Sequence, residues 1–346
     1  MGTGGPAVTI HSKAPLRLDF AGGWSDVAAF ADEEGGTVVT AAIQLAVHIE
    51  FLLGDRRIRL HSADGDEHVT VESAGQMVYD GRLDFHKAAL NMLPVTGGIE
   101  IISRSDAPPG SGLGSGALAV ALLAGLARCR QEDYDPTELA ELGFTLETSE
   151  LGGFGWPQDH QVAAHGGFLV LGFEQGGVDV RALAVTDEAA RDLARHAVLA
   201  YVGRSFFTAR THARVSSACE SRDPSVVGAI RAMRDVAREA GKVIEAGDWR
   251  QLAALTDENW RHQRLLDATM VTPETMRIDE AVHAAGAWGL KATGVGAGGC
   301  LIVLCSPSRR SAVAEAVESC GGRVLQCHFA AEGVSVWLEA DAPDPT

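Results

Sequence analysis

The sequence lacks a long hydrophobic run: its longest apolar stretch, Ala117 to Ala127, is too short and too Ala-rich to cross a bilayer. The amino terminus, Met1 to Pro6, has no basic stretch followed by an apolar one, so no secretory signal is expected. Pro6 also stands where a myristoylation pattern wants Ser or Thr. Cysteine is sparse. The six residues (129, 219, 300, 305, 320 and 327) form no CxxC pair of a zinc site, and a chain this long needs no disulfide staples. They read as reduced and structural. Basic residues are short too: 29 Lys plus Arg against 46 Asp plus Glu leave a formal net charge of -17. A field of that sign repels nucleic acid and anionic membranes. It does not repel a small anion held by backbone amides and a metal ion. The expectation is a cytoplasmic protein with a small-molecule partner, no nucleic acid and no membrane.

What is present, across 346 residues, is ordinary globular composition, with 46% hydrophobic and 22% charged residues. No repeat, low-complexity segment or Pro/Ser-rich linker marks a boundary. In Leu16-Arg17-Leu18-Asp19-Phe20 apolar and charged residues alternate, the period of a half-buried strand, so Arg17 and Asp19 share one face. Ala21-Gly22-Gly23 breaks that strand, and strand signals return at Thr37–Ile43, Val47–Phe51, Ile58–Leu60, Val69–Val71 and Ile99–Ile102. Ala117–Arg130 reads as a buried helix, and Asp135-Pro136 as the cap and first turn of the next. Leu169–Phe173 and Val178–Ala184 look like paired strands. After about Thr186 the chain turns mostly helical: Val227, Ile230, Met233, Val236, Ala240 and Val243 line one helix face, and Asp248 caps another helix. Cys300–Leu304, Ser311–Cys320, Arg323–Phe329 and Val334–Leu338 read strand, helix, strand, strand. The class is α+β.

Three constellations carry chemistry. Asp106-Ala-Pro-Pro109-Gly110-Ser-Gly112-Leu113-Gly114-Ser115-Gly116-Ala117 runs from a strand signal into the Ala/Leu helix. Its glycines let amides point inward at a helix amino terminus, which makes a phosphate cradle. No Lys is present for a Walker loop. Gly112-x-Gly114-x-x-Ala117 meets the dinucleotide fingerprint formally, with Glu132 and Asp133 downstream, but a Pro-Pro pair is foreign to that tight turn. The second constellation, Lys291-Ala-Thr293-Gly294-Val-Gly296-Ala-Gly298-Gly299, implies close backbone approach to a ligand or to the first loop; a tight turn between elements is the plain alternative. The third is acidic: Glu147 and Glu150 near a helix end, then Gln158-Asp159-His160. Asp159 is flanked by Gly152, Gly153, Gly155, Trp156 and Pro157, a rigid and non-helical setting suited to a general base or a metal ligand.

In this order the segments resemble the GHMP kinases over nearly the whole chain. The first motif of that family is similar to Pro15-x-Arg17-x-Asp19-Phe20-x-Gly22-Gly23-Trp24-Ser25-Asp26, the second to Pro108-Pro109-Gly110-x-Gly112-Leu113-Gly114-Ser115, and the third to Lys291–Gly299. The Gly-Gly-Trp-Ser-Asp form most resembles the branch holding L-fucokinase and the heptose 7-phosphate 1-kinases. The resemblance implies a ribosomal protein S5 domain 2-like amino-terminal domain over residues 1–186 and a ferredoxin-like α/β carboxyl-terminal domain over 187–346. It implies ATP on Pro109, Gly110, Gly112, Leu113, Gly114, Ser115, Gly116 and Ala117, closed by Gly296 and Gly298, with Mg²⁺ on Ser115 and Glu147. Asp159 becomes the base, and Arg17, Asp19, Gly23, Ser25 and Asp26 face the sugar. Arg204 and Arg210 are nominated for a distal phosphate, with a solvated helix start as their plain alternative. The implied reaction is phosphorylation of a sugar, at its anomeric hydroxyl. A heptose 7-phosphate or octose 8-phosphate is the first acceptor and free L-fucose or a related deoxy sugar the second; a homodimer is compatible with the resemblance. Three departures stand out: Gly116 replaces a second Ser, the residue before Gln158 is Pro157, and Cys300 stands where another Gly is frequent. The departures at Gly116 and Pro157 leave a non-catalytic sugar or ATP sensor as a rival reading, and Gly112-x-Gly114-x-x-Ala117 leaves a nicotinamide dehydrogenase as another.

Overall fold

The computed structural model describes residues 8–54, 57–71, 77–205 and 208–339; the amino-terminal hexapeptide lies outside them. The chain opens with β1 (Val8–Ala21), α1 (Ala28–Glu34), β2 (Gly36–Leu53), β3 (Ile58–Ser62), β4 (Glu67–Val71), α2 (Asp84–Met92) and β5 (Ile99–Ser105). Helices α3 (Ser115–Arg130), α4 (Pro136–Thr145) and α5 (Pro157–His165) precede the hairpin β6 (Phe168–Glu174) and β7 (Gly177–Ala182). Then follow α6 (Asp187–His196), β8 (Ala197–Gly203), α7 (Thr208–Glu220), α8 (Pro224–Ala246), α9 (Trp249–Gln263), α10 (Pro273–Ala285), β9 (Ala287–Thr293) and β10 (Gly299–Cys305). Last come α11 (Arg310–Ser319), β11 (Arg323–Leu325) and β12 (Ser335–Leu338).

Eight strands make one sheet in the order β12-β1-β2-β5-β3-β4, with β6 and β7 beside the first half of β2; four make a second sheet, β11-β8-β10-β9. Thr37–Ile43 and Val47–Phe51, expected as two strands, are one. The long β2 serves two neighbours along one edge, β6 through Gly36–Ala41 and β5 through Val47–Leu53. Bulges between Pro15 and Leu16 and between Asp19 and Ala21 keep β1 paired beside it. The carboxyl-terminal segment crosses back, so that Ile10–Lys13 face Ser335–Leu338 and β12 belongs to the first sheet. Apart from the parallel β3–β5 pair, the paired strands run antiparallel. A dinucleotide fold needs a parallel sheet at its fingerprint turn, so this topology removes the nicotinamide reading.

Leu16, Leu18 and Phe20 enter the main core with α3, a helix apolar on every side. The opposite face of β1 is not half-exposed as expected: Arg17 and Asp19 are buried as well. The loop between β9 and β10 covers them. In the second sheet β10 is buried on both faces. Cys300, Ile302 and Leu304 join the core shared with α9 and the first sheet, and Leu301, Val303 and Cys305 join a smaller core under α10 and α11. Asp248 caps α9 through Gln251 N–H at 2.9 Å and Asp135 forms a capping box with Glu138, as their sequence positions predict. All six cysteines are free thiols. No helix among the described residues is long and apolar enough to cross a membrane.

Candidate active site

The cradle begins where β5 ends. Asp106 accepts from Ala46 N–H at 3.1 Å and lies 2.9 Å from His48 Nε2, which pins the entrance of the loop. Gly110 and Gly112 then take φ near +74° and +75°, a region that strains any side chain. Gly114 precedes the first turn of α3 and no side chain caps it, so the amides there remain available for an anion. Ser115 opens the helix and lines a cleft of about 780 Å³ together with Arg17, Glu147 and Asp159.

Helix α4 runs on into a π-helical turn, Leu146–Glu150, which carries Glu147. Past the glycines, Pro157 occupies the first helical position of α5, where its missing N–H is no loss. Asp159 therefore stands in the first turn of a helix; the non-helical setting expected from its neighbours is corrected. Arg17 grips both carboxylate oxygens, Nε to Oδ1 at 2.6 Å and Nη2 to Oδ2 at 3.1 Å, with both residues buried. Burial raises the Asp159 pKa above its ordinary value, opposed by Arg17 and reinforced by Glu147. Behind Glu147, the fully buried His160 accepts the job of a neighbour: its Nε2 lies 3.3 Å from Glu147 Oε2 and its Nδ1 3.1 Å from the Trp156 carbonyl.

Gly116 explains the first departure from the family pattern. A Cβ there would lie 2.7 Å from Asp159 Cβ and 2.8 Å from its carbonyl carbon. The amino termini of α3 and α5 meet at this point, and a side chain would separate the cradle from the carboxylate.

The third glycine loop is tied to the first motif, not to a ligand alone. Lys291, completely buried, donates to the Asp19 carboxylate and to the Ala292 carbonyl at 2.7 Å, while Gly294 N–H donates to Asp19 Oδ1 at 3.0 Å. A Cβ on Gly294 would lie 3.1 Å from Arg17 Nη2. Nearby, Trp24 adopts φ 79° and turns the chain so that Asp26 faces Asp159. Asp26 Oδ1 accepts from Trp24 N–H at 3.1 Å, but Asp26 Oδ2 is buried with no partner, as are Trp24 Nε1, Gln158 Oε1 and Arg17 Nη1. Burial first, then Asp159, pushes the Asp26 carboxyl up to about 7. Trp24, Trp156 and His212 pack edge-on or tilted against one another, and Phe154, 44% exposed, leans on His212 with centroids 4.3 Å apart.

Two family models match the chain, the GHMP kinases N terminal domain over residues 83–167 and the GHMP kinases C terminal over residues 240–323. The mevalonate kinase of Thermococcus onnurineus is 31% identical over 253 residues, 69% of each chain. The chain belongs to the GHMP kinase family. It is an ATP-dependent kinase. The D-glycero-alpha-D-manno-heptose 7-phosphate kinase of Campylobacter jejuni is 29% identical over 345 residues, 95% of this chain and 99% of that one. The crystal structure of a D-glycero-D-manno-heptose 1-phosphate kinase from Bacteroides thetaiotaomicron superposes with a TM-score of 0.80 at 24% identity, covering 95% and 98% of the two chains.

Within this kinase fold the nominated residues divide. Arg17, Pro109, Gly110, Gly112, Gly114, Ser115, Glu147, Asp159, Gly296 and Gly298 line one cleft. Leu113 and Ala117 point into the core and serve the cradle only through their backbone. Asp19, named for the sugar, is spent on Lys291 and Gly294, with Gly23 pressed against its Oδ2. Ser25, also named for the sugar, has its hydroxyl engaged within the chain. Its hydroxyl is fully buried between the Gly22 and Thr37 carbonyls and accepts Thr37 N–H at 3.0 Å, so it pins the turn to β2. Arg204, exposed, lays its stem over Gly110, where a Cβ would meet its Cγ; Arg210 is exposed on α7. Sequence reasoning missed the far wall of the cleft, Tyr79, Leu83 and Phe85, which no motif marks. It also missed the Tyr79 hydroxyl donating to Glu150, beside the turn that carries Glu147.

Proposed function

We propose that this kinase moves the γ-phosphoryl group of ATP to the anomeric hydroxyl of a sugar, a heptose 7-phosphate or octose 8-phosphate first. The observation that carries the reading is Asp26 Oδ2, a buried carboxyl oxygen without a hydrogen-bond partner that feels the charge of Asp159. An unpaired buried acceptor of that kind is satisfied by a ligand rich in hydroxyl donors. Similarity to the Campylobacter jejuni heptose 7-phosphate kinase supports the same class of acceptor.

In this reading the cradle amides hold the triphosphate and Tyr79, Leu83 and Phe85 wall the base. Arg17 orients Asp159, whose raised pKa lets it keep a proton once taken. The anomeric oxygen attacks the γ-phosphorus, the bond from phosphorus to the bridging oxygen breaks and ADP leaves, and the hydroxyl proton passes to Asp159. Glu147 and Ser115 line the same cleft, so hard oxygen donors are present for Mg²⁺, with His160 Nε2 3.3 Å from Glu147 Oε2 behind them. When bound there, Mg²⁺ neutralises charge on the phosphates. Retention of both carboxylates argues against a sensor.

One observation favours a free deoxy sugar such as L-fucose as a second acceptor. Arg204 lies on the phosphate loop, which removes one of the two cations nominated for a distal phosphate. ADP release with Mg²⁺-ATP across free and terminally phosphorylated hexoses, heptoses and octoses separates the two. Turnover confined to phosphorylated sugars is the expected result. Turnover on free sugars alone selects the second acceptor, and silence across the panel with ATP still bound overturns the sugar reading.

A further inference from the structure

We propose that His61, Asp66 and His68 form a binding site for a transition-metal dication, Zn²⁺ above all, on the hairpin of β3 and β4. The two histidines face each other in the antiparallel register, so both side chains leave the sheet on one face. Their rings stack with centroids 3.9 Å apart and 20° between planes. Asp66 stands in the turn with φ 50°, a left-handed conformation that brings its Oδ1 to 3.2 Å from His68 Nε2. One ligand atom from each of the three residues lies within 4.8 Å of the others. Tetrahedral Zn²⁺ with bonds of about 2.0–2.1 Å places neighbouring ligand atoms about 3.3 Å apart. The Asp66–His68 edge already has that length, and the stacked rings must turn to bring the other nitrogens onto a shared ion.

The donor set decides the metal. Two imidazoles and one carboxylate favour Zn²⁺, Ni²⁺ or Cu²⁺ over Mg²⁺ or Ca²⁺, which prefer oxygen alone. This site is thus chemically distinct from Ser115 and Glu147, and three protein ligands leave a fourth position open. The hairpin is braced without metal: Asp64 Oδ2 accepts Ser105 N–H at 2.8 Å and Arg82 donates to the His68 carbonyl at 2.9 Å. The ligands are reachable from solvent, with the His68 and Asp66 side chains 62% and 93% exposed. Ser62 and Glu67, which alternate with the two histidines along β3 and β4, line the kinase cleft, so the ion would sit on the opposite, solvent-facing side of the hairpin.

Calorimetric titration of the full chain with ZnCl₂, in the absence of nucleotide and with Mg²⁺ in excess, tests the site. One Zn²⁺ per chain with micromolar affinity is expected. His68→Ala is expected to weaken it by about tenfold or more, and His61→Ala likewise, with the thermal midpoint and Mg²⁺-ATP turnover unchanged. Equal Zn²⁺ binding by wild type and by the His61→Ala/His68→Ala double variant would place the ion elsewhere and overturn the proposal. Absence of uptake by the wild type would overturn it equally.

Discussion

The donor and acceptor halves of the cleft are built by opposite means. On the donor side the working groups are backbone: Gly110, Gly112 and the uncapped first turn of α3, with few side chains beyond Ser115. On the proposed acceptor side they are buried ionisable groups, the Arg17–Asp159 pair, the Lys291–Asp19 pair behind it and Asp26, whose proton is kept up to about 7. A backbone cradle is neutral and tolerates water, so it can be assembled from local conformation alone. Buried charges are stable only when every partner arrives from elsewhere in the fold, and each partner lost leaves an ion uncompensated.

Substitutions should therefore hurt the acceptor half through chemistry and stability, and the donor half through shape. Asp159→Asn is expected to lower kcat by roughly 10²–10⁴-fold with ATP affinity retained; near-normal turnover would remove Asp159 as the base. Lys291→Met leaves Asp19 buried and unpaired and should destabilise the fold by about 3–5 kcal/mol, read by denaturant unfolding. Most of that loss should return in Lys291→Met/Asp19→Leu; if it does not, the pair is not what binds the third loop to β1. Gly116→Ser forces α3 from α5 and should cost about 1–3 kcal/mol by overpacking, with a larger fall in kcat than in ATP affinity. A fully active Gly116→Ser protein would mean the two helix starts part freely.

The proposed metal ligand lies between the halves. Glu147→Gln should raise the Mg²⁺ concentration for half-maximal rate by about tenfold or more, and an unchanged titration would place the ion elsewhere. Asp26→Asn is the smallest effect and runs in the opposite direction. The native Asp26 keeps its proton up to about 7, against an ordinary value of 3.8. The native state thus binds more protons between those values, and stability falls as pH rises through that window. Asp26→Asn should therefore raise the melting temperature by several degrees above neutrality and by little near pH 4, while weakening the acceptor. A melting temperature equally raised at both ends would show that Asp26 is not ionised in the native protein at high pH.

Legibility followed the same division. The cradle, the helix behind it and the α9 cap were readable, because Gly, Pro and capping residues act within a few positions of themselves. Asp159 and Glu147 were readable as candidates, yet the helical setting of Asp159 was misjudged: the glycines before it outweighed Pro157, which begins a helix as readily as it ends one. Asp19 and Ser25 carried the signature of binding residues, and their side chains are engaged within the fold. Their partners, Lys291 and Thr37, are 272 and 12 positions away, and neither distance leaves a trace in local pattern. The apolar wall of Tyr79, Leu83 and Phe85 had no periodic or glycine signal to announce it.

By itself the sequence determined the order of the three motifs, the α+β class and the residue types able to hold phosphate and to take a proton. Only the tertiary structure decided which carboxylate is paired with Arg17, which is held by Lys291 and which is buried with an unpartnered oxygen. Ionic roles depend on burial and on partners brought from distant segments, and those exist only once β1, α5 and the β9–β10 loop have packed together.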